Sequence, residues 1–154
     1  MDTIRDSMRA AMRVSSPPPP APFPTAKDIM VGDKLITFRP DQRIAEVMRL
    51  MVQRKISGAP VVDAQMNLLG ILSEFDCLRV VAIGAYEGTP LDGSRTVEEL
   101  MTTDVTTIGP HLNLHGIAQL FISRSLRRLP VVEGRRVLGQ VSRRDVLKAM
   151  QDLG

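Results

Sequence analysis

The sequence repeats itself. The stretch GAPVVDAQMNLLGILSEFD at 58–76 returns as RLPVVEGRRVLGQVSRRD at 128–145, with Pro60 matching Pro130 and Val61-Val62 matching Val131-Val132. After one residue is lost from the turn, Gly70, Ser73 and Asp76 match Gly139, Ser142 and Asp145. Upstream, Ile44, Val47, Met48 and Met51 match Leu114, Ile117, Ala118 and Phe121 at an offset of 70. That period is too long for a solenoid repeat and fits a small supersecondary unit that cannot bury its apolar face alone. Two such units are expected to pack on each other, and their seam is the natural place for a ligand.

A chain of 154 residues with 44% hydrophobic and 24% charged residues suits one globular domain of α/β (α+β) class. With 3% aromatic residues and no Trp, the core is aliphatic and padded with Met, and stacking platforms for single-stranded nucleic acid are scarce. One cysteine, Cys77, excludes an intramolecular disulfide and fits a reducing compartment. It lies in an apolar helical stretch and reads as a core thiol. No apolar run approaches the length of about 18 residues that would span a membrane, and the first 13 residues lack the apolar segment of a secretory signal. The expected location is the cytoplasm. Charge is uneven: residues 123–148 hold eight basic and two acidic residues, whereas 53–79 hold three of each. Phosphate-bearing ligands are therefore expected to prefer the second half.

Residues 1–14 place Ile4, Met8 and Met12 on one face of a short amphipathic helix or tail. Residues 15–25 are a proline-rich spacer, 26–83 the first unit, 84–96 a Gly-rich connector and 97–154 the second unit. Each unit reads as a helical turn, a brief strand (Leu35–Phe38; Val105–Ile108) and a helix over 41–54 or 111–125, with Asp41 a candidate cap. A strand pair and a last helix follow, giving βαββα after a helical turn.

The repeated motif with chemical content is Gly-x-x-Ser-x-x-Asp. A strand ends at Ser73 or Ser142, whose hydroxyl caps the next helix, so free amides and a positive dipole end lie where a phosphate can sit. One turn on, Asp76 or Asp145 offers an acceptor suited to paired ribose hydroxyls. The same spacing also makes a capping box, with the Asp folded back on the Ser. Ahead of each Pro-Val-Val, the proline withholds its amide and leaves backbone groups that can read a planar base. Gly58 permits close approach there, and Arg128 can stack or meet phosphate.

These paired features resemble a tandem pair of cystathionine-β-synthase (CBS) domains, a Bateman module, over about residues 26–150. The resemblance implies a pseudo-two-fold sandwich of two βαββα units with two clefts that bind an adenine nucleotide such as AMP, ADP or ATP. It assigns Asp76 and Asp145 to ribose and Ser73 and Ser142 to phosphate. It assigns Ile36, Thr37, Gly58, Ala59 and Pro60 to one adenine pocket, and Thr106, Thr107, Arg128, Leu129 and Pro130 to the other. Glu74 stands beside the first phosphate position where Arg143 and Arg144 stand in the second, so the second cleft is the better site for a polyphosphate. The resemblance also implies a homodimer joined through its helices, and a regulated enzyme or transporter as partner.

His111 and His115 stand four apart near a helix start, but no third ligand accompanies them, and no metal is expected. No Ser stands in a motif-fixed relation to a His, so the chain is read as a non-enzyme. The arginines recur at motif edges rather than along one helix, which disfavours a nucleic-acid partner. A ligand-free scaffold is the remaining alternative.

Overall fold

The computed structural model describes residues 23–87 and 94–154. The segment 1–14, the spacer up to residue 22 and residues 88–93 of the connector lie outside the described residues. β-branched pairs bounded by polar turns make a hairpin in each half. β1 (Gly58–Val62) pairs antiparallel with β2 (Leu68–Ser73), and β3 (Arg128–Glu133) with β4 (Arg136–Ser142). Both ladders slip at the same place, between Val61 and Val62 and between Val131 and Val132. The longer first turn is tied by Asp63, whose Oδ1 accepts from the amides of Gln65 and Asn67, each at 2.9 Å. The Asn67 amide above all holds the Asp63 carboxyl below the usual carboxylate range.

The expected strands Leu35–Phe38 and Val105–Ile108 shrink to single parallel bridges, Phe38 with Val61 and Ile108 with Val131. The prolines explain this. Phe38 N donates to Pro60 O and Val62 N to Phe38 O, both at 2.9 Å, and the next rung would need an amide that Pro60 lacks. Pro130 ends the second ladder in the same way, after Ile108 N has bonded Pro130 O at 3.0 Å.

Helices α2 (Ile44–Arg54) and α5 (Leu114–Arg124) begin later than the expected 41 and 111. Asp41 is not the cap. Arg43 stands at the cap position without a side-chain bond, while Gln42 Oε1 accepts from Arg39 N at 2.7 Å. In the second half Asn113 caps, its Oδ1 accepting from Gly116 N at 2.9 Å. The hairpins then run directly into α3 (Glu74–Glu87) and α6 (Arg143–Leu153).

The short leading helices, α1 (Ala26–Ile29) and α4 (Val97–Leu100), pack on the half they do not lead. Ala26, fully buried, joins a core with Ile117, Phe121, Leu129 and Val141. Val97, fully buried, joins the other core with Phe38, Ile44, Val47 and Leu72. Hydrogen bonds follow the exchange: Ala26 N donates to Leu112 O at 2.8 Å, and Val97 N to Gln42 O at 2.9 Å. Past each leading helix the chain lies on the edge of the far hairpin, Val31 bridging Gln140 and Thr102 bridging Ile71. This contact explains the glycine of the repeated motif. A Cβ on Gly70 would stand 2.7 Å from Thr102 O, and one on Gly139 2.6 Å from Val31 O. The hairpin tips also join, Leu68 N donating to Arg135 O at 2.8 Å and Val137 N to Met66 O at 2.9 Å. Each core thus contains a piece of the other half.

Candidate functional site

Both Ser-x-x-Asp motifs form capping boxes. Ser73 donates its amide (2.8 Å) and hydroxyl (3.0 Å) to Asp76 Oδ2, and its Oγ accepts from Asp76 N at 3.3 Å. Ser142 and Asp145 repeat the arrangement at 2.8, 2.9 and 3.2 Å. The box is worth roughly 0.5–2 kcal/mol through its cap, and it takes one oxygen of each carboxylate. A ligand is left with Oδ1.

The two Oδ1 atoms differ. Asp76, 3% exposed, receives the Thr102 hydroxyl on Oδ1 at 3.1 Å. Asp145 is half-buried, and among the described residues nothing donates to its Oδ1. The first helix turn differs as well: Glu74 N donates to Ser57 O at 2.8 Å, whereas Arg143 N has no such partner among the described residues.

Around the first motif lies a cleft of about 470 Å³ that draws on both halves. Ser73, Glu74 and Asp76 supply one wall, and Thr106, Arg127 and Arg128 the opposite one. No histidine lines it. Sequence reasoning grouped Thr106 and Arg128 with the second unit; the exchanged leading segment brings Thr106, and strand β3 brings Arg128, against the first motif. Arg127 Nη1 meets Glu74 Oε1 at 3.5 Å, with both side chains more than half exposed. Arg128 is more deeply placed. Its Nη2 donates to Ser57 Oγ, and its guanidinium covers Gly58, where an added Cβ would meet Arg128 Cζ at 2.9 Å. The room above Gly58 is filled by a side chain of the other half. Burial, and then the neighbouring Arg127, draw the Arg128 pKa below its ordinary value, against the pull of Glu74 and Asp76.

Other expected site residues separate by burial. Ala59 and Leu129 turn into the two cores, and Pro60 and Pro130 are buried, so only their backbone is available to a ligand. Ile36 is half-buried against the first core, Thr37 is half-buried and Thr107 is exposed. Arg143 Nε donates to Leu126 O at 2.7 Å, and Arg144 is exposed. His111 lies ahead of α5 and His115 within it, both exposed, and no group of three metal-ligating side chains occurs among the described residues. Cys77 is 7% exposed, and burial first of all raises its pKa. Sequence reasoning missed Thr102, which reaches Asp76 only because its segment crosses to the other half, and read Ser57 and Arg127 only as strand entries, without the bonds they make to Glu74.

A second surface feature repeats in both halves. Val52, Leu78 and Val81 stand exposed on α2 and α3, and Ile122, Leu147 and Met150 on α5 and α6. A groove of about 490 Å³ between α2 and α3 is lined by Met48, Met51, Leu78 and Val81.

A duplicated α/β unit with a composite cleft at its seam defines the class. The family model described as CBS domain matches residues 26–83 and 97–152, and the chain belongs to this family. The CBS domain-containing protein YhcV of Bacillus subtilis is 33% identical over 79% of this chain and 82% of its own length. The crystal structure of Arabidopsis thaliana CBSX2 in complex with AMP is 27% identical, with a TM-score of 0.75 over 84% of this chain and 98% of that one. The CBS domain pair of protein MJ0100, in complex with 5'-methylthioadenosine and S-adenosyl-L-methionine, is 25% identical, with a TM-score of 0.71 over 86% of this chain and 100% of that one. The chain also matches the inosine-5'-monophosphate dehydrogenase of Aquifex aeolicus at 32% identity over 73% of its own length, spanning 22% of that enzyme. No helix among the described residues is long and apolar enough to cross a membrane.

Proposed function

We propose that this protein is a non-enzymatic regulatory module that binds an adenine nucleotide of the AMP, ADP or ATP type at its seam and passes occupancy to a partner. The observation that carries the reading is the composite cleft: a Ser-Asp motif from one half faces Thr106, Arg127 and Arg128 from the other. A ligand there touches both halves at once, so it favours whichever relative orientation fits it best. The AMP and adenosyl ligands named for CBSX2 and MJ0100 support an adenosine group in particular. By the duplication the same arrangement recurs at the second motif, where Arg143 and Arg144 supply phosphate binding and Asp145, whose Oδ1 meets no donor among the described residues, supplies the ribose contact.

The module pairs with a second copy of itself through the helices. Val52 corresponds to Ile122, Leu78 to Leu147 and Val81 to Met150, so both halves offer an apolar stripe of the same layout and the surface is self-complementary. The transmitted signal goes to a regulated enzyme or transporter.

Thermal unfolding with AMP, ADP and ATP tests the reading. A nucleotide at about 100 times its Kd adds roughly 2.7 kcal/mol of stability. The expected result is a ligand-dependent rise in Tm that Asp145→Ala abolishes, measured against that variant's own ligand-free Tm. No rise with any nucleotide favours the ligand-free scaffold. Salt-sensitive retention on DNA that survives Asp145→Ala favours nucleic acid.

A further inference from the structure

The two Ser-Asp motifs occupy equivalent positions in the duplication, yet three groups around them differ. Thr102 and Val31 are counterparts: each forms the edge bridge to the far hairpin, Thr102 to Ile71 and Val31 to Gln140. Thr102 donates its hydroxyl to Asp76 Oδ1 at 3.1 Å, and Val31 has no hydroxyl to give Asp145. Ile71 and Gln140 are counterparts too, pairing with Pro60 and Pro130. Ile71 lines the first cleft. Strand alternation sets Gln140 on the same face as Ser142, and its Oε1 is buried without a hydrogen-bond partner among the described residues. The third difference is the helix-start amide, consumed by Ser57 O at Glu74 and without such a partner at Arg143 among the described residues.

A buried carbonyl oxygen without a donor is destabilising and ordinarily finds one. In the first cleft the polar groups that meet a sugar phosphate already satisfy one another. In the second the same positions hold an acceptor oxygen on Asp145, an acceptor on Gln140 and a donor amide on Arg143, all unspent within the described residues. From this we infer that Thr102 and Gln140 set the difference between the clefts. Thr102 keeps the first cleft closed to ribose by holding Asp76, and Gln140 makes the second selective for a ligand that presents an N–H or O–H group to it, such as the exocyclic amine of adenine. The inference rests on the nucleotide reading and adds to it which cleft fills and why.

Residue exchange between the clefts tests it. Titration calorimetry of the full chain with AMP is expected to give one site per chain in the native protein. Thr102→Val, which copies Val31, is expected to add a second site; Val31→Thr and Gln140→Ile are each expected to weaken the native site about tenfold, the worth of one ordinary hydrogen bond. Thr102 and Val31 are exposed, so a single cooperative unfolding transition without ligand, shifted by no more than one hydrogen bond is worth, verifies that the fold persists. Two equal sites in the native chain overturn the inference, as does a Thr102→Val variant that still binds one AMP. Gln140→Ile with native affinity removes the selectivity half of it. AMP binding that Asp145→Ala abolishes upholds the nucleotide reading whatever the exchanges do, while no binding in any variant defeats both.

Discussion

In the first half Asp76 is 3% exposed with both carboxylate oxygens engaged, Ile71 is apolar, and Glu74 neutralises Arg127 at the rim. In the second, Asp145 Oδ1 and Gln140 Oε1 meet no donor among the described residues, and Arg143 and Arg144 replace Glu74 and Phe75. The backbones that carry these side chains are nearly the same: the hairpins share their register slip, the ladders stop at the same proline, and the leading helices exchange symmetrically. Duplication has preserved the scaffold, and a handful of side chains leaves the polar groups of one motif satisfied and those of the other unspent among the described residues.

The largest expected effect tests the shared scaffold. Phe38→Ala empties a fully buried site in the first core and is expected to cost about 3–5 kcal/mol, and Ile108→Ala in the second about 2–5 kcal/mol. Because each core holds the other half's leading helix, urea unfolding of either variant is expected to remain a single transition. Two separate transitions would mean that the halves are independent. Next, Gly70→Ala and Gly139→Ala each press a Cβ against a backbone carbonyl of the exchanged segment, with an expected loss of about 1–3 kcal/mol. The two should match, since the geometry does; a markedly smaller loss in one half would break the symmetry of the exchange.

A smaller effect concerns the caps. Ser142→Ala removes the hydroxyl that accepts from Asp145 N and should lower stability by roughly 1 kcal/mol in urea titrations. Ser73→Ala should lower it more than Ser142→Ala, because Asp76 is buried and Asp145 is not. Equal losses would argue that burial of Asp76 has no energetic consequence. The proposed pairing through the helices has a separate check: Leu78→Asp with Leu147→Asp is expected to leave a monomer by light scattering where the native chain is a dimer, and a double variant that stays dimeric would overturn this interface. The smallest effect concerns Cys77, whose raised pKa leaves it less thiolate than an ordinary cysteine at neutral pH. Iodoacetamide should modify it slowly until the chain unfolds; rapid labelling of the native protein would contradict the burial.

Much of this was legible in the sequence because the repeat marks the hairpins directly: Pro-Val-Val and the Ser-Asp spacing fall in β1, β3 and the helix starts as expected. The capping box was foreseen as one of two uses of that spacing, and it takes one carboxylate oxygen while leaving the other. What could not be read is which half each segment joins. Helix α1 carries enough apolar residues to cover either core, and nothing local distinguishes its own half from the other. The role of Thr102 therefore stayed hidden, since it depends on that choice. The late start of α2 was also hidden: Asp41 is a good cap by type, but Gln42 bonds Arg39 N and holds the preceding turn non-helical.

A crystal structure of the native chain grown with AMP tests the central claim most directly. The account predicts one nucleotide per chain beside Ser142, a ribose hydroxyl on Asp145 Oδ1, and Thr102 still bonded to Asp76. A ribose held by Asp76 with Thr102 displaced, or AMP bound away from both motifs, would contradict it.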